Sequence, residues 1–121
     1  MISFDEAAAM LDEIAEEIPE AFYTELNGGV CFLPESVRDP DSRKGCPLYI
    51  LGEYINDFAL GNYISIYYGS IRDAYPDMTP EEWRAELKAT LVHEFTHHVE
   101  WLAGERGLEI KDEIEMEEYR Q

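Results

Sequence analysis

Residues Thr79-Pro80-Glu81-Glu82 set the strongest constraint on how this chain can fold. A Thr N-cap, Pro at the first helical position and Glu at the third satisfy free N–H groups of a first turn and pre-set its backbone. Neither Gly nor Pro follows until Gly104, so one helix of about two dozen residues is expected. Trp83, Leu87, Leu91, Phe95 and Leu102 recur along it at helical spacing and form its expected core face. In a chain of 121 residues such a helix is the natural axis of one core, and residues 1–121 read as a single domain.

The other segments are shorter. Ser3 with Glu6 has capping-box spacing, and Phe4, Ala8, Leu11, Ala15 and Ile18 then trace an amphipathic helix that Pro19 closes. Val30 to Leu33, Leu48 to Ile55 and Tyr63 to Tyr68 read as strands, bounded by Gly and Pro and rich in β-branched and aromatic residues. Glu35 to Pro47 is charged and Pro-containing, hence an exposed loop. Gly104 and Gly107 bracket Glu105-Arg106 as a turn, and Leu108 to Arg120 reads as a C-terminal helix.

The long helix contains His93-Glu94-Phe95-Thr96-His97, an HExxH pattern. At about 100° per residue the two imidazoles lie roughly 40° apart and one turn apart, so both can reach one ion, and the pair suits Zn2+. Glu94, one residue after the first His, can approach a water held by the ion without itself being a ligand, the position of a general base. By chance the pattern arises in roughly one chain in a hundred of this composition, so its context decides. Here it falls inside a helix assigned from capping and Gly/Pro spacing alone. His98 points to the apolar side, as a core or supporting residue rather than a ligand.

A catalytic zinc needs a third protein ligand and one open position. An HExxHxxGxxH arrangement is excluded, because Glu100 and Ala103 stand at the Gly and His places. Glu100 itself lies roughly 10 Å along the axis from His93, too far to share an ion. A reversal at Gly104 would return Asp112 to Glu115 alongside His97, making Asp112, Glu113 and Glu115 candidates, with Glu105 and Glu109 less well placed.

Acidic residues outnumber basic ones 27 to 9, giving a net charge of −18. Phosphate backbones and anionic lipid surfaces are repelled by such a chain, so neither nucleic acid nor membrane is an expected partner. The N-terminus carries no basic region and only a short apolar run, so a cytoplasmic location is expected. Cys31 and Cys46 read as reduced thiols. With 45% hydrophobic residues the chain is too apolar for a disordered acidic tail.

Together, the acidic first helix, Leu51-Gly52-Glu53-Tyr54, the run Asn62 to Gly69, and Leu91-Val92-His93-Glu94-Phe95-Thr96-His97-His98 resemble the minimal zincin-like metallopeptidases of bacteria. The resemblance spans nearly the whole chain. It implies an α+β, zincin-like fold: a small mixed sheet packed on the long HExxH helix, flanked by N- and C-terminal helices. It also implies a zinc peptidase acting on peptide or protein substrates. In that family a downstream Asp on a short Gly turn is the third ligand. Here Val99-Glu100 replaces the expected Phe-Gly and an insertion runs through Gly107, and aligning the tail across it favours Asp112. An edge strand able to pair an extended peptide is implied too. From the residues, Tyr63 to Tyr68 is the best candidate, although an ordinary sheet strand shows the same alternation.

Two other readings compete. A deformylase-like amidase would use a thiolate, and Cys46 lies upstream of His93 at a comparable spacing, but Pro47 and the charged loop make a poor ligand strand. A non-catalytic, metal-stabilised interaction module would bind a basic partner through the acidic surface. Glu94 argues against it, since a structural site has no use for a base.

Overall fold

The computed structural model describes residues 1–42 and 47–106. Helix α1 spans Phe4–Glu17, and a 3₁₀ turn follows at Glu20–Tyr23. Strands β1 (Gly29–Leu33), β2 (Gly52–Asp57) and β3 (Gly61–Tyr67) lead into a short helix α2 (Tyr68–Ala74) and the long helix α3 (Pro80–Arg106). Both expected capping boxes form. Glu6 N–H donates to Ser3 Oγ (3.1 Å) and Ser3 N–H to Glu6 Oε1 (3.2 Å), while Glu82 N–H donates to Thr79 Oγ1 (3.2 Å) and Thr79 N–H to Glu82 Oε1 (3.0 Å). No helix among the described residues is long and apolar enough to cross a membrane.

The sheet is mixed, in the order β1-β3-β2. β1 runs parallel to β3, from Gly29 opposite Tyr63 to Leu33 opposite Tyr67, and β2 runs antiparallel to β3, from Gly52 opposite Ile66 to Asp57 opposite Gly61. The β2–β3 hairpin is closed by Asp57, whose Oδ1 accepts from the N–H groups of Ala59 (2.8 Å) and Leu60 (2.7 Å). Gly61 then takes φ +82, a left-handed conformation that a residue with a Cβ adopts only under strain. Ile64 and Ile66 of β3 pack with Ala7, Leu11 and Ile14 of α1 and with Trp83, Leu87, Leu91, Phe95 and Leu102 of α3 in one buried cluster. The five α3 residues are the face expected from the sequence, and all are fully buried. Tyr68 stacks on Trp83, with ring centroids 5.2 Å apart, and Phe22 and Tyr23 meet Phe95 edge-on.

Several expectations are corrected. β3 is the central strand, not an edge, because β1 and β2 flank it on either side. Its Ser65 is buried along with the isoleucines, so the alternation marked two covered faces rather than a solvent side. Tyr68 belongs to α2, where its hydroxyl donates to the Ile2 carbonyl (2.7 Å). β2 starts four residues later than expected, since Leu48 to Ile50 answers to a different partner: Asp39 N–H donates to the Leu48 carbonyl (2.8 Å) and Ile50 N–H to the Val37 carbonyl (2.9 Å). The turn at Gly104 does not form, as α3 continues through it to Arg106. A lone Gly costs a helix only about 1 kcal/mol, which a long packed helix absorbs. The expected C-terminal helix from Leu108 lies outside the described residues.

The passage from β3 into α2 depends on Gly69. A Cβ there would lie 2.6 Å from the Glu35 carbonyl carbon and 2.7 Å from the Pro34 oxygen, both backbone atoms that cannot move aside singly. Gly69→Ala should therefore destabilise the fold by about 1–3 kcal/mol through overpacking, read as a lower midpoint in urea denaturation. A midpoint at the parental value would contradict this packing.

Candidate metal centre

The orientation of α3 decides what each residue of the HExxH stretch can do. At about 100° per residue, His98 falls in the middle of the buried stripe, His93 and His97 fall outside it, and Glu94 lies between. The burial follows that order: His98 is 0% exposed, Glu94 5%, and the His97 side chain 46%. The His93 and His97 rings meet edge-to-face with centroids 4.9 Å apart, and each lines a cleft shared with β2.

The other wall of the cleft is β2 and the residue before it. Leu51 and Gly52 face Glu86, Ala89, Thr90, His93 and Glu94 on one side, while Glu53, Tyr54 and Asn56 face Glu94, His97, Glu100 and Trp101 on the other. Glu94 is common to both halves. The close approach of strand to helix needs Gly52, where a Cβ would come within 3.0 Å of Thr90 Cγ2. Among the described residues lining the cleft there is no Lys or Arg, against four Glu.

Electrostatics single out Glu94. Its side chain makes no hydrogen bond within the described residues. Burial holds its carboxyl above the ordinary carboxylate range, His93 and His97 pull it back, and the Glu53 charge pushes it up again. Glu53 is itself held by Tyr67, whose hydroxyl donates to its Oε1 (2.9 Å). Burial, and then that bond, push the Tyr67 phenol up to about 12, so the proton stays on Tyr67.

His98 supports the cleft from behind. Its Nε2 lies 2.7 Å from the Thr24 carbonyl and its Nδ1 2.6 Å from the Tyr54 hydroxyl, while Trp101 stacks on the ring. Burial lowers its tendency to protonate, outweighing the Thr24 carbonyl and the Glu25 charge. No role falls to Glu53, Tyr54, Asn56 or Trp101 from residue patterns alone. The available signal was Leu51-Gly52-Glu53-Tyr54, a Gly placed where a strand must approach a helix.

The arrangement brings together His93, Glu94 and His97. Among the described residues no group of three or more His, Cys, Asp and Glu is close enough to hold a metal ion. Asp112, Glu109, Glu113, Glu115 and Cys46 lie outside the described residues, as does the side chain of Glu105. The donors in place nonetheless suit zinc, with two imidazoles one helical turn apart and an unpartnered buried carboxylate beside them.

A family model for zincin-like metallopeptidases matches residues 44–117. A solved structure of a conserved hypothetical protein from Thermo thermophilus is similar, with 30% identity over 85% of this chain and 99% of that one, and a TM-score of 0.72. No curated protein matches. The family match covers more than half of the chain and includes α3 with its HExxH stretch, and the chain belongs to the zincin-like metallopeptidases.

Proposed function

We propose that this protein is a zinc-dependent peptidase in which His93 and His97 hold the metal and Glu94 is the general base. The observation that carries this reading is the Glu94 carboxylate, buried, without a hydrogen bond, and common to both halves of a cleft beside the two imidazoles. A carboxylate largely withdrawn from water, free of hydrogen bonds and open only to the cleft suits a proton-transfer role. When bound, zinc polarises a carbonyl and lowers the pKa of water from 15.7 to about 7. Glu94 takes the proton of the attacking water on a carboxylate oxygen and delivers it to the leaving amine, and its raised proton affinity suits both transfers.

Substrate would bind along β2. Leu51 accepts from Tyr67 N–H (2.9 Å), so antiparallel alternation turns the backbone groups of Glu53 and Ile55 toward β3 and those of Gly52, Tyr54 and Asn56 outward. An extended peptide could add there as a further strand beside Glu94. This moves the peptide-binding role from the expected Tyr63–Tyr68 segment to β2.

Asp112 is proposed as the third ligand. The parent should retain about one zinc per chain after desalting at pH 7.5, and binding should weaken in acid because protons compete for the imidazoles. Loss of a coordinating carboxylate should cost at least the roughly 10- to 100-fold typical of groups that only brace a ligand, so Asp112→Ala should do so in a chelator competition. Glu105→Ala, Glu109→Ala and Cys46→Ser should change affinity much less. A parent that retains no zinc would sink the metal reading, and collapse of another variant with Asp112→Ala intact would move the ligand there.

Glu94→Gln should keep zinc and lose peptide cleavage by roughly 10²- to 10⁴-fold. It should also stabilise the metal-free protein at neutral pH. The folded carboxyl titrates above its unfolded value, so its contribution is favourable at low pH and is lost as pH rises through the folded pKa. Removing the charge should raise the metal-free Tm by a few degrees. Cleavage of a peptide library at the parental rate would exclude Glu94 as the base.

A further inference from the structure

His98 is a fully buried imidazole that the proposed chemistry does not use, yet it follows directly on His97. Its two nitrogens have different partners. A backbone carbonyl can only accept, so the Nε2 that faces the Thr24 oxygen at 2.7 Å carries a proton. Both nitrogens of this fully buried ring are taken by uncharged partners, with no carboxylate bonded to offset a charge, so the imidazole is neutral, its Nδ1 is bare, and the Tyr54 hydroxyl 2.6 Å away must donate to it. Tyr54 sits on β2 and lines the cleft with Glu94 and His97. Its oxygen also accepts from Asn56 Nδ2, but at 3.3 Å and in an exposed setting, a long bond that a donor from the cleft can supplant. Asn56 in turn donates to Asn62 Oδ1 (2.6 Å), and Asn62 to the Glu25 carbonyl (3.2 Å). The chain of bonds thus ties the substrate strand to the turn of α3 that carries His97.

We propose that His98 is a positioning residue: locked in its Nε2–H tautomer by Thr24, it draws the Tyr54 proton inward, so that Tyr54 offers a bound peptide an oxygen acceptor rather than an O–H donor. This rests on the peptidase reading above. With its proton committed to His98, Tyr54 helps to seat the substrate through a peptide N–H or a cationic side chain, and does not donate to the oxygen that becomes negative in the transition state. Binding made equally in ground and transition states appears in KM, whereas a bond made only in the transition state appears in kcat.

The test uses Tyr54→Phe, His98→Asn and His98→Gln in the full chain, with an internally quenched peptide chosen from a cleavage library. Asn places an amide oxygen near the position of Nδ1 and can still accept from Tyr54, but loses the Thr24 bond. Gln reaches toward Thr24 and loses the acceptor for Tyr54. Tyr54→Phe and His98→Gln should each raise KM by roughly 2- to 12-fold, the range of one net hydrogen bond, with kcat nearly unchanged. His98→Asn should keep the parental KM although it melts lower. A KM that simply follows Tm across the variants would reduce His98 to a packing residue and overturn the proposal. So would a roughly 10²- to 10³-fold loss of kcat in Tyr54→Phe at constant KM, the signature of an oxyanion donor. Nitrogen-15 NMR of the metal-free parent needs no turnover: Nε2 should be protonated and Nδ1 bare, and a protonated Nδ1 overturns the proposal. The expected nitrogen pattern in a protein that cleaves no peptide would support the hydrogen-bond geometry and instead overturn the peptidase reading beneath it.

Discussion

Everything at the site depends on how α3 is seated. Trp83, Leu87, Leu91, Phe95 and Leu102 are all fully buried, against α1 on one side and the sheet on the other. Truncating such side chains costs roughly 2–5 kcal/mol each, so the helix has essentially one rotational setting. That setting leaves His93 and His97 at the cleft, brings Glu94 to the margin of the core, and sends His98 inside. Hydrophobic burial, acting several residues away, thereby sets the ionisation environment of the carboxylate. Rotation by even a fraction of a turn would exchange a largely desolvated carboxylate for a fully solvated one.

β2 is the second half of the arrangement, and its approach is made possible by the absence of a side chain at Gly52. The strand supplies Glu53 and Tyr54 to the cleft wall, each held from behind, Glu53 by Tyr67 and Tyr54 by His98. The result is an acidic cleft. Cationic metal and cationic or neutral peptide are compatible with it, whereas a phosphate ligand would meet four carboxylates lining the same walls.

Features that are local in sequence were legible there. Both capping boxes, the core stripe of α3 and the HExxH register need only neighbouring residues to be read, and the structure contains them. Strand order was not legible. Whether Tyr63–Tyr68 lies at an edge or in the centre depends on which strands pair with it on either side, and hydrophobic alternation reports a strand's two faces, not the neighbours bonded along its edges. Gly104 misled for a related reason, since tertiary packing of a long helix outweighs the propensity of one residue. Tyr54 carries no motif of its own. Its place in the cleft emerges only when β2 is laid against α3 and His98 is found buried beneath it.

The proposed metal site holds one ion between His93 and His97, in the cleft between α3 and β2. Crystallography of the zinc-loaded protein, with anomalous diffraction at the zinc absorption edge, tests it most directly. The expected map has one strong anomalous peak within about 2.0–2.1 Å of a nitrogen of each of these two imidazoles, with Glu94 beside it and not coordinated. A peak held elsewhere, or one coordinated by Glu94, would exclude this placement of the metal and of the base.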